Sequence, residues 1–280
     1  MKSTVKSLAS RTARFLTNEI ADELEKRAAR RPAELPADPT VSRMKIDIPD
    51  AVKQLGSADA RVQLHQLMSW NHRWVAMLAE RNRRTAVSSY DFIEEVMPNA
   101  RFSINQFDVI RDKQDEIMAL DGHILDLGVY QGVSTRALAR IYPSRTIHGF
   151  DSFEGLPEDW AHQGKGAFGE VKGVLPDMPD NVKLYKGWFD DTLPGWYSAH
   201  SDTPISLLRV DCDLYSSTRT ILTELAPLIR SGTWIVFDEY IGYRTWEEHE
   251  YKAFMEFVNE TGFEFEYVAY GLTYTILRLL

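Results

Sequence analysis

The chain has 280 residues, of which 44% are hydrophobic and 26% are charged. This composition excludes a disordered protein, and the length allows one large or two small domains. No apolar run reaches the roughly 18–20 residues that cross a bilayer, so no membrane span is expected and a cytoplasmic protein is predicted. The net charge of −9 argues against a nucleic-acid partner, and the single cysteine, Cys212, excludes an internal disulfide.

The first 57 residues are predicted to be a basic amphipathic arm and a proline-containing linker. Residues 1–31 contain eight Lys or Arg against four Asp or Glu, and prolines follow at positions 32, 36 and 39. A helix on the surface or between copies of the chain is favoured for the arm, with membrane-surface attachment as the alternative.

Region 58–120 shows helical periodicity at 58–84, 88–97 and 104–120. It contains no recognisable catalytic motif. We therefore predict a helical cap or oligomerisation region, and a homo-oligomer is expected.

Short apolar strands alternate with helical stretches from 121 to 280, which predicts an α/β fold with a Rossmann-like, mostly parallel sheet. Strands are expected, in chain order, at 124–127, 146–150, 182–185, 205–210 and 234–237. Two further β-rich runs, at 263–269 and 272–279, predict a C-terminal antiparallel hairpin. Ligands of such sheets bind at the carboxyl ends of the parallel strands.

The first strand runs into D-L-G-V-Y-Q-G, a glycine turn that precedes a helix. Gly128 and Gly132 permit a tight turn and the close approach of a ligand to the backbone, and Ser134 begins the helix beside it. Tyr130 occupies the place of the middle glycine in a dinucleotide-binding loop. A nucleoside without phosphates therefore suits this turn better than NAD or ATP.

Two aspartates stand at the ends of the first two strands. Asp151, followed by Ser152, is placed to accept hydrogen bonds from both ribose hydroxyls of an adenosine-type ligand. Asp126 ends the first strand, where it can reach a cationic amino group of the same ligand. These positions predict S-adenosyl-L-methionine (SAM) as the cofactor, and the strand layout is that of a class I SAM-dependent methyltransferase.

Acidic pairs follow the fourth and fifth strands: Asp211 with Asp213, and Asp238 with Glu239. Four carboxylates at one sheet edge repel one another, and a divalent cation that prefers oxygen ligands, such as Mg²⁺, relieves that repulsion. A carboxylate that is not bound to the metal can remove a proton from a substrate hydroxyl. The alternative is that these acids cap helices or lie in solvent, as Asp213 before L-Y-S-S-T can do.

Five segments carry a resemblance to a known family: D-L-G-V-Y-Q-G-V-S, G-F-D-S-F-E-G-L-P, Y-K-G-W-F-D-D-T-L-P, R-V-D-C-D-L-Y-S-S-T and F-D-E-Y. With these segments, residues 121–279 resemble the macrocin O-methyltransferases, metal-dependent SAM enzymes that methylate sugar hydroxyls of antibiotics and related natural products. The resemblance implies that Asp211, Asp238 and Glu239 hold the metal and that Asp213 is the general base. The family usually has a second aspartate where this chain has Glu239, which is one methylene longer and keeps its oxygen ligands.

The same resemblance implies that Asp151 holds the ribose and that loop 186–191 lies near the adenine. Trp188 or Phe189 can stack there, and packing in the core is the alternative for both. Asp211 is predicted to contact the cofactor as well as the metal.

Segment 241–254, after the fifth strand, is aromatic and charged and is expected to lie over the active site. Tyr243 and Trp246 suit the apolar face of a sugar ring, and His249 is a candidate second base. The alternative is an amphipathic helix packed on the core. The glycine-rich run 164–169 is predicted to be a mobile lid or a plain surface loop.

The leading hypothesis is metal-dependent methyl transfer from SAM to a hydroxyl of a sugar or glycosylated natural product, so a sugar-containing small molecule is the expected acceptor. Two alternatives stay open. One is methylation of a catechol or similar phenol, and the other is a non-catalytic SAM-fold scaffold whose N-terminal helices bind a partner.

Overall fold

The computed structural model describes residues 58–160 and 163–280, except for the side chains of 58–75. The predicted basic arm and linker, 1–57, lie outside the described residues. The chain divides into two compact units, Met1–Asn71 and His72–Leu280, and the second contains the whole sheet. The domain boundaries expected after residues 57 and 120 stay predictions.

The described residues form seven α-helices and eight strands. The helices are α1 (Ala58–Val96), α2 (Gln106–Asp112), α3 (Gln114–Ile117), α4 (Val133–Ile141), α5 (Phe189–His200), α6 (Tyr215–Leu225) and α7 (Glu250–Thr261). The strands are β1 (Arg101–Phe102), β2 (His123–Leu127), β3 (Ile147–Asp151), β4 (Val182–Lys186), β5 (Ile205–Val210), β6 (Trp234–Phe237), β7 (Phe265–Tyr270) and β8 (Thr275–Leu279). Among these helices, none is long and apolar enough to span a membrane.

All eight strands belong to one sheet, in the order β1-β7-β8-β6-β5-β2-β3-β4. Strands β2 to β6 run parallel, whereas β8 runs antiparallel to both β6 and β7. This confirms the predicted Rossmann-like, mostly parallel sheet with its C-terminal antiparallel hairpin. The sequence does not predict the two-residue β1, which pairs with β7.

The helical region before the sheet differs from the prediction in two places. The helices expected at 58–84 and 88–97 are one continuous helix, α1, because no glycine or proline interrupts it. The helix expected at 104–120 is two short helices, α2 and α3. Asn105 caps the first of them, since its side chain accepts a hydrogen bond from the backbone N–H of Phe107 at 3.0 Å.

Apolar side chains cover both faces of the sheet, because successive strand residues point to opposite sides. On one face, Leu125 and Leu208 belong to a core that includes residues of α5, α6 and α7. On the other face, Ile124 and Leu207 pack with residues of α2, α3 and α4. Helices packed on both faces of the sheet thus hold the carboxyl ends of the parallel strands side by side along one edge of the sheet.

Three histidines cluster in the second unit, His123 and His148 at the start of β2 and β3 and His200 at the end of α5. Their ring centroids lie 5.2–5.3 Å apart. The Trp196 indole N–H donates to Nδ1 of His148 at 3.1 Å. Burial and then the charges of the other two histidines lower the pKa of His148 to about 3.

This low pKa predicts a pH-dependent contribution to stability. An unfolded histidine titrates near pH 6.5. Between about pH 6.5 and pH 3 the unfolded state binds more protons at His148, so this residue's contribution to the free energy of unfolding falls as the pH falls. We expect His148→Gln, which does not titrate, to lose less stability between pH 7 and pH 5 than the wild type in urea unfolding with EDTA. Equal losses in the two proteins would contradict this interpretation.

Candidate active site

The glycine turn after β2 touches the ends of two neighbouring strands. Gly128 has a φ of +104°, and a Cβ atom there would lie 1.8 Å from the backbone oxygen of Asp211. The Gly128 N–H donates to the Phe150 oxygen at 2.9 Å, and the Asp211 N–H donates to the Leu127 oxygen at 2.8 Å. Only glycine fits at this position without pushing β2 and β5 apart.

A cavity of about 610 Å³, hereafter the pocket, lies at the carboxyl ends of the parallel strands. The predicted site residues that line it are Gly128, Asp151, Ser152, Trp188, Phe189, Asp211, Asp213 and Glu239. The predicted site residues outside its lining are Asp126, Gly132, Ser134, Asp238 and His249. The strand ends therefore bring together most of the predicted acids and the loop after β4.

Asp151 is held in one orientation at the end of β3. Its Oδ2 accepts the backbone N–H of Tyr130 at 2.7 Å, and its Oδ1 accepts that of Phe153 at 2.6 Å. The hydroxyl of Ser152 accepts the N–H of Glu154 at 3.1 Å. The carboxylate is thus a preorganised hydrogen-bond acceptor on the pocket wall.

The aromatic wall of the pocket comes from two loops. Trp188 is 36% exposed just before α5, whereas Phe189 also packs against the core. Phe168, from the glycine-rich run, lines the pocket with its ring 5.8 Å from that of Tyr130. Flat apolar surface is therefore available to a ring-shaped ligand.

Asp213 lies in a strained turn directly after β5. Its φ is +65°, a region that non-glycine residues rarely adopt, and the N–H of Leu214 donates across it to the Cys212 oxygen at 2.6 Å. The residue is 9% exposed, and burial followed by the charges of Asp211 and Asp238 raises its pKa to about 7. A strained, buried acid on a pocket wall is typical of a functional residue.

Glu239 is the second acid with a strongly raised pKa. Burial and the charges of Asp238, Asp213 and Asp211 raise it to about 8, although Arg209 opposes this shift. The pKa of Asp211 is raised as well, chiefly by burial. Ionising all of these acids together is therefore unfavourable, and Arg209 offsets only part of that cost.

Glu250, which the sequence does not single out, is fully buried at the start of α7. Its Oε2 accepts the backbone N–H of Glu239 at 3.0 Å, and its Oε1 has no hydrogen-bond partner among the described residues. Burial and then the charge of Asp213 raise the pKa of Glu250 well above its usual range. The buried Glu250 side chain thus contacts the backbone at Glu239 from behind the pocket wall.

Arg209 is another residue of the site that the sequence does not single out. It is 3% exposed near the carboxyl end of β5, and its Nη1 donates to Oδ1 of Asp126 at 3.0 Å. The other oxygen of Asp126 accepts the Thr135 hydroxyl at 2.6 Å. Asp126 is fully buried and both its oxygens are bonded inside the protein, so the expected contact with a ligand amino group is corrected to an internal ion pair with Arg209. A lone arginine in the apolar run I-S-L-L-R-V was the available signal.

Arg209 also contacts the acids after β5 and β6. Its Nη2 donates to Oδ2 of Asp211 at 2.9 Å and to Oδ1 of Asp238 at 2.7 Å. The predicted repulsion among the acids is thus partly relieved by a cation of the protein itself.

The chemistry of these acids fits a divalent cation. One guanidinium, that of Arg209, faces four carboxyl groups, those of Asp211, Asp213, Asp238 and Glu239. All the atoms that these acids could offer to a metal are oxygens. In the part of the chain that the structure describes, no three His, Cys, Asp or Glu side chains are already gathered around one metal position. The oxygen ligands and the charge of these acids fit such an ion.

Segment 241–254 does not cover the pocket as expected. Trp246 is 4% exposed and packs on Phe92 and Tyr251. His249 accepts or donates a hydrogen bond with Thr245 at 3.2 Å and lies outside the pocket lining. This segment therefore agrees better with the alternative, a helix packed on the core. Nothing in its position supports His249 as a second base.

The strand order, the glycine turn and the pocket at the strand ends define a class I methyltransferase fold. The structure of CalS11, a calicheamicin methyltransferase, has this fold, with a TM-score of 0.51 and 18% identity over 71% of this chain and 91% of that one.

The family model described as macrocin-O-methyltransferase (TylF) matches residues 105–264, and the chain belongs to this family. A tetracenomycin methyltransferase of Streptomyces olivaceus, 8-demethyl-8-(2,3-dimethoxy-alpha-L-rhamnosyl)-tetracenomycin-C 4'-O-methyltransferase, is 31% identical over 42% of this chain and 53% of its own length. Demethyldecarbamoylnovobiocin O-methyltransferase of Streptomyces niveus is 30% identical over 49% of this chain and 61% of its own length. The chain thus spans about half the length of the curated relatives it matches.

Proposed function

We propose that the protein transfers a methyl group from SAM to a hydroxyl of a sugar or glycosylated natural product. The observation that carries this proposal is the position of Asp213, a buried acid in a strained turn, on the wall of the same pocket as Asp151. Membership of the macrocin-O-methyltransferase family supports the reaction type. The name of the Streptomyces olivaceus relative, which specifies a rhamnosyl compound, supports a sugar-bearing acceptor.

Within this proposal, Asp151 accepts hydrogen bonds from the ribose hydroxyls of SAM, and Trp188 or Phe189 contacts the adenine. Asp213 is the general base. The acceptor O–H bond breaks and its proton passes to the Asp213 carboxylate, while the oxygen electron pair forms the new bond to the methyl carbon. The C–S bond breaks at the same time, and its electron pair stays on sulfur to give neutral S-adenosylhomocysteine (SAH). A pKa of about 7 suits a group that must accept a proton near neutral pH.

The proposal includes a divalent cation such as Mg²⁺, held by Asp211, Asp238 and Glu239. When bound, the ion supplies positive charge that favours ionisation of the acceptor hydroxyl. The excess of carboxylates over Arg209 supports this part of the proposal. A cytoplasmic location, a homo-oligomeric state and the absence of a nucleic-acid partner stay predictions.

A substitution at Asp151 tests the cofactor side of the proposal. We expect Asp151→Ala to weaken SAH binding roughly 10- to 100-fold in isothermal titration calorimetry, because a hydrogen bond to a charged group contributes about 1.5–3 kcal/mol. The matched control is Glu154→Ala, which removes an exposed carboxylate from the same loop. Equal SAH affinity in the two variants would refute the ribose assignment.

The reaction is tested with labelled SAM and three acceptors: a glycoside with free sugar hydroxyls, its aglycone and a catechol. Each is assayed with Mg²⁺, with EDTA, and with EDTA followed by excess Mg²⁺. We expect transfer to the glycoside alone, lost with EDTA and restored by Mg²⁺. Transfer to the catechol alone would favour a phenol methyltransferase. No SAH binding and no transfer would favour a non-catalytic scaffold.

A further inference from the structure

Arg209 makes four hydrogen bonds through three nitrogens. Besides its bonds to Asp126, Asp211 and Asp238, its Nε donates to Oε1 of Gln106 at 3.0 Å. The ring of Phe107 lies 5.8 Å from the guanidinium carbon. A planar guanidinium with this many partners has one orientation available to it.

Gln106 closes the network from outside the strands. It is the first residue of α2 and is 9% exposed. While its oxygen accepts from Arg209, its Nε2 donates to Oδ1 of Asp238 in a short hydrogen bond. Rotating this amide by 180° would break both bonds, so the network also fixes the side chain of Gln106.

These bonds divide the oxygens of two carboxylates. Asp238 receives both of its hydrogen bonds, from Gln106 and from Arg209, on Oδ1, and Asp211 receives its bond from Arg209 on Oδ2. Among the described residues, no side chain donates to the second oxygen of either acid. One oxygen of each acid is held by the protein, and the other is left for a further partner.

We propose that Gln106 and Arg209 are positioning residues that orient Asp211 and Asp238 for the divalent cation. This inference rests on the proposed function and adds to it a residue from α2, more than 100 positions before Arg209 and Asp238 in the chain. Partners that orient a metal ligand by hydrogen bonding typically change metal affinity or activity 10- to 100-fold when they are removed.

The variant that tests this is Gln106→Met, which keeps the approximate length of the side chain and removes both hydrogen bonds. Gln114→Met is the matched control, because the Gln114 amide donates to the Ile141 backbone oxygen at 3.0 Å, away from the acids. MgCl₂ is titrated calorimetrically into each full-length protein saturated with SAH. We expect roughly tenfold weaker Mg²⁺ binding in Gln106→Met. SAH affinity should change no more than in Gln114→Met. The urea midpoint of Gln106→Met should fall, because the buried Nε of Arg209 loses its acceptor, and the unfolding curve serves to show that the variant is folded during the titration.

Two further variants separate positioning from loss of structure. Gln106→Asn keeps the amide but is one methylene too short, and we expect the same loss of Mg²⁺ affinity even if Gln106→Met folds poorly. Arg209→Lys keeps the charge but cannot make four directed hydrogen bonds, so it should also weaken Mg²⁺ binding. Because both residues act through one network, adding Gln106→Met to Arg209→Lys should lower the Mg²⁺ affinity little further.

The outcomes distinguish this inference from the function it rests on. If the wild type binds Mg²⁺ and Gln106→Met and Gln106→Asn bind it equally well, the positioning role is wrong while the proposed function stands. If the wild type itself binds no Mg²⁺, the metal-dependent part of the proposed function fails, and this inference fails with it.

Discussion

Replacing Asp213 with asparagine is expected to lower kcat for methyl transfer by about 10²–10⁴-fold, the range contributed by a positioned general base. The amide has nearly the shape of the carboxylate but cannot accept the proton of the acceptor hydroxyl. Asparagine also tolerates the left-handed backbone that Asp213 adopts at a φ of +65°, so the turn should survive. SAH affinity should therefore stay within a few-fold of the wild type.

Single-turnover transfer from labelled SAM at saturating acceptor and Mg²⁺ gives the rate, and calorimetry gives SAH affinity. Asp180→Asn, at an exposed position far along the chain from the acids, is the matched control. A rate for Asp213→Asn within tenfold of this control would assign the base to another group. A rate that recovers with additional Mg²⁺ would place Asp213 among the metal ligands instead.

Replacing Arg209 with methionine is expected to destabilise the protein by about 3–5 kcal/mol, the usual cost of removing one partner from a buried ion pair. Methionine fills much of the same volume, so the loss comes mainly from charge. Without the guanidinium, Asp126 stays fully buried with an uncompensated charge, and Asp211 and Asp238 face each other unscreened.

Urea unfolding in EDTA measures this effect without a divalent cation to replace the lost charge. The control is Arg219→Met, whose guanidinium pairs with Glu260 at 3.0 Å and is 25% exposed; its loss should cost about 1 kcal/mol or less. Adding Asp126→Asn to Arg209→Met should recover part of the stability, because the deepest unpaired charge is removed. If Arg209→Met unfolds at the same urea concentration as Arg219→Met, the guanidinium is not what stabilises these acids.

The sheet could be predicted from the sequence because its strands are short apolar runs bounded by turn residues. In a parallel sheet, consecutive runs end at a common edge, and so Asp151, Asp211 and Asp213 could be assigned to one site from the sequence alone. The role of Gly128 could be predicted as well, because a tight turn between a strand and a helix requires a residue that can adopt a positive φ.

The Arg209 network could not be predicted in the same way, because it depends on which strands are neighbours. Strand β5 lies beside β2, and their register pairs Arg209 with Asp126, although 83 positions separate them. Gln106 comes from a helix before the first parallel strand, and nothing in its local sequence indicates that α2 reaches the acids. For the same reason the local sequence around Asp126 predicts a contact with a ligand, since its ion-pair partner, Arg209, lies 83 positions further along the chain.

The role of the segment after β6 could not be predicted from its composition, because that role depends on which residues it packs against. Its aromatic and charged residues suit a sugar-binding cover, yet Trp246 is buried against Phe92 of α1. A tryptophan that joins two helices and a tryptophan that binds a sugar have the same local sequence. Only the contact with a distant helix distinguishes them.

The central claim is that the pocket at the strand ends binds SAM through Asp151. Its most direct test is calorimetric titration of SAH into the wild type and into Asp151→Ala, with Mg²⁺ present. We predict one SAH per chain in the wild type and roughly 10- to 100-fold weaker binding in the variant. No measurable binding of SAH to the wild type, with or without Mg²⁺, would contradict the account.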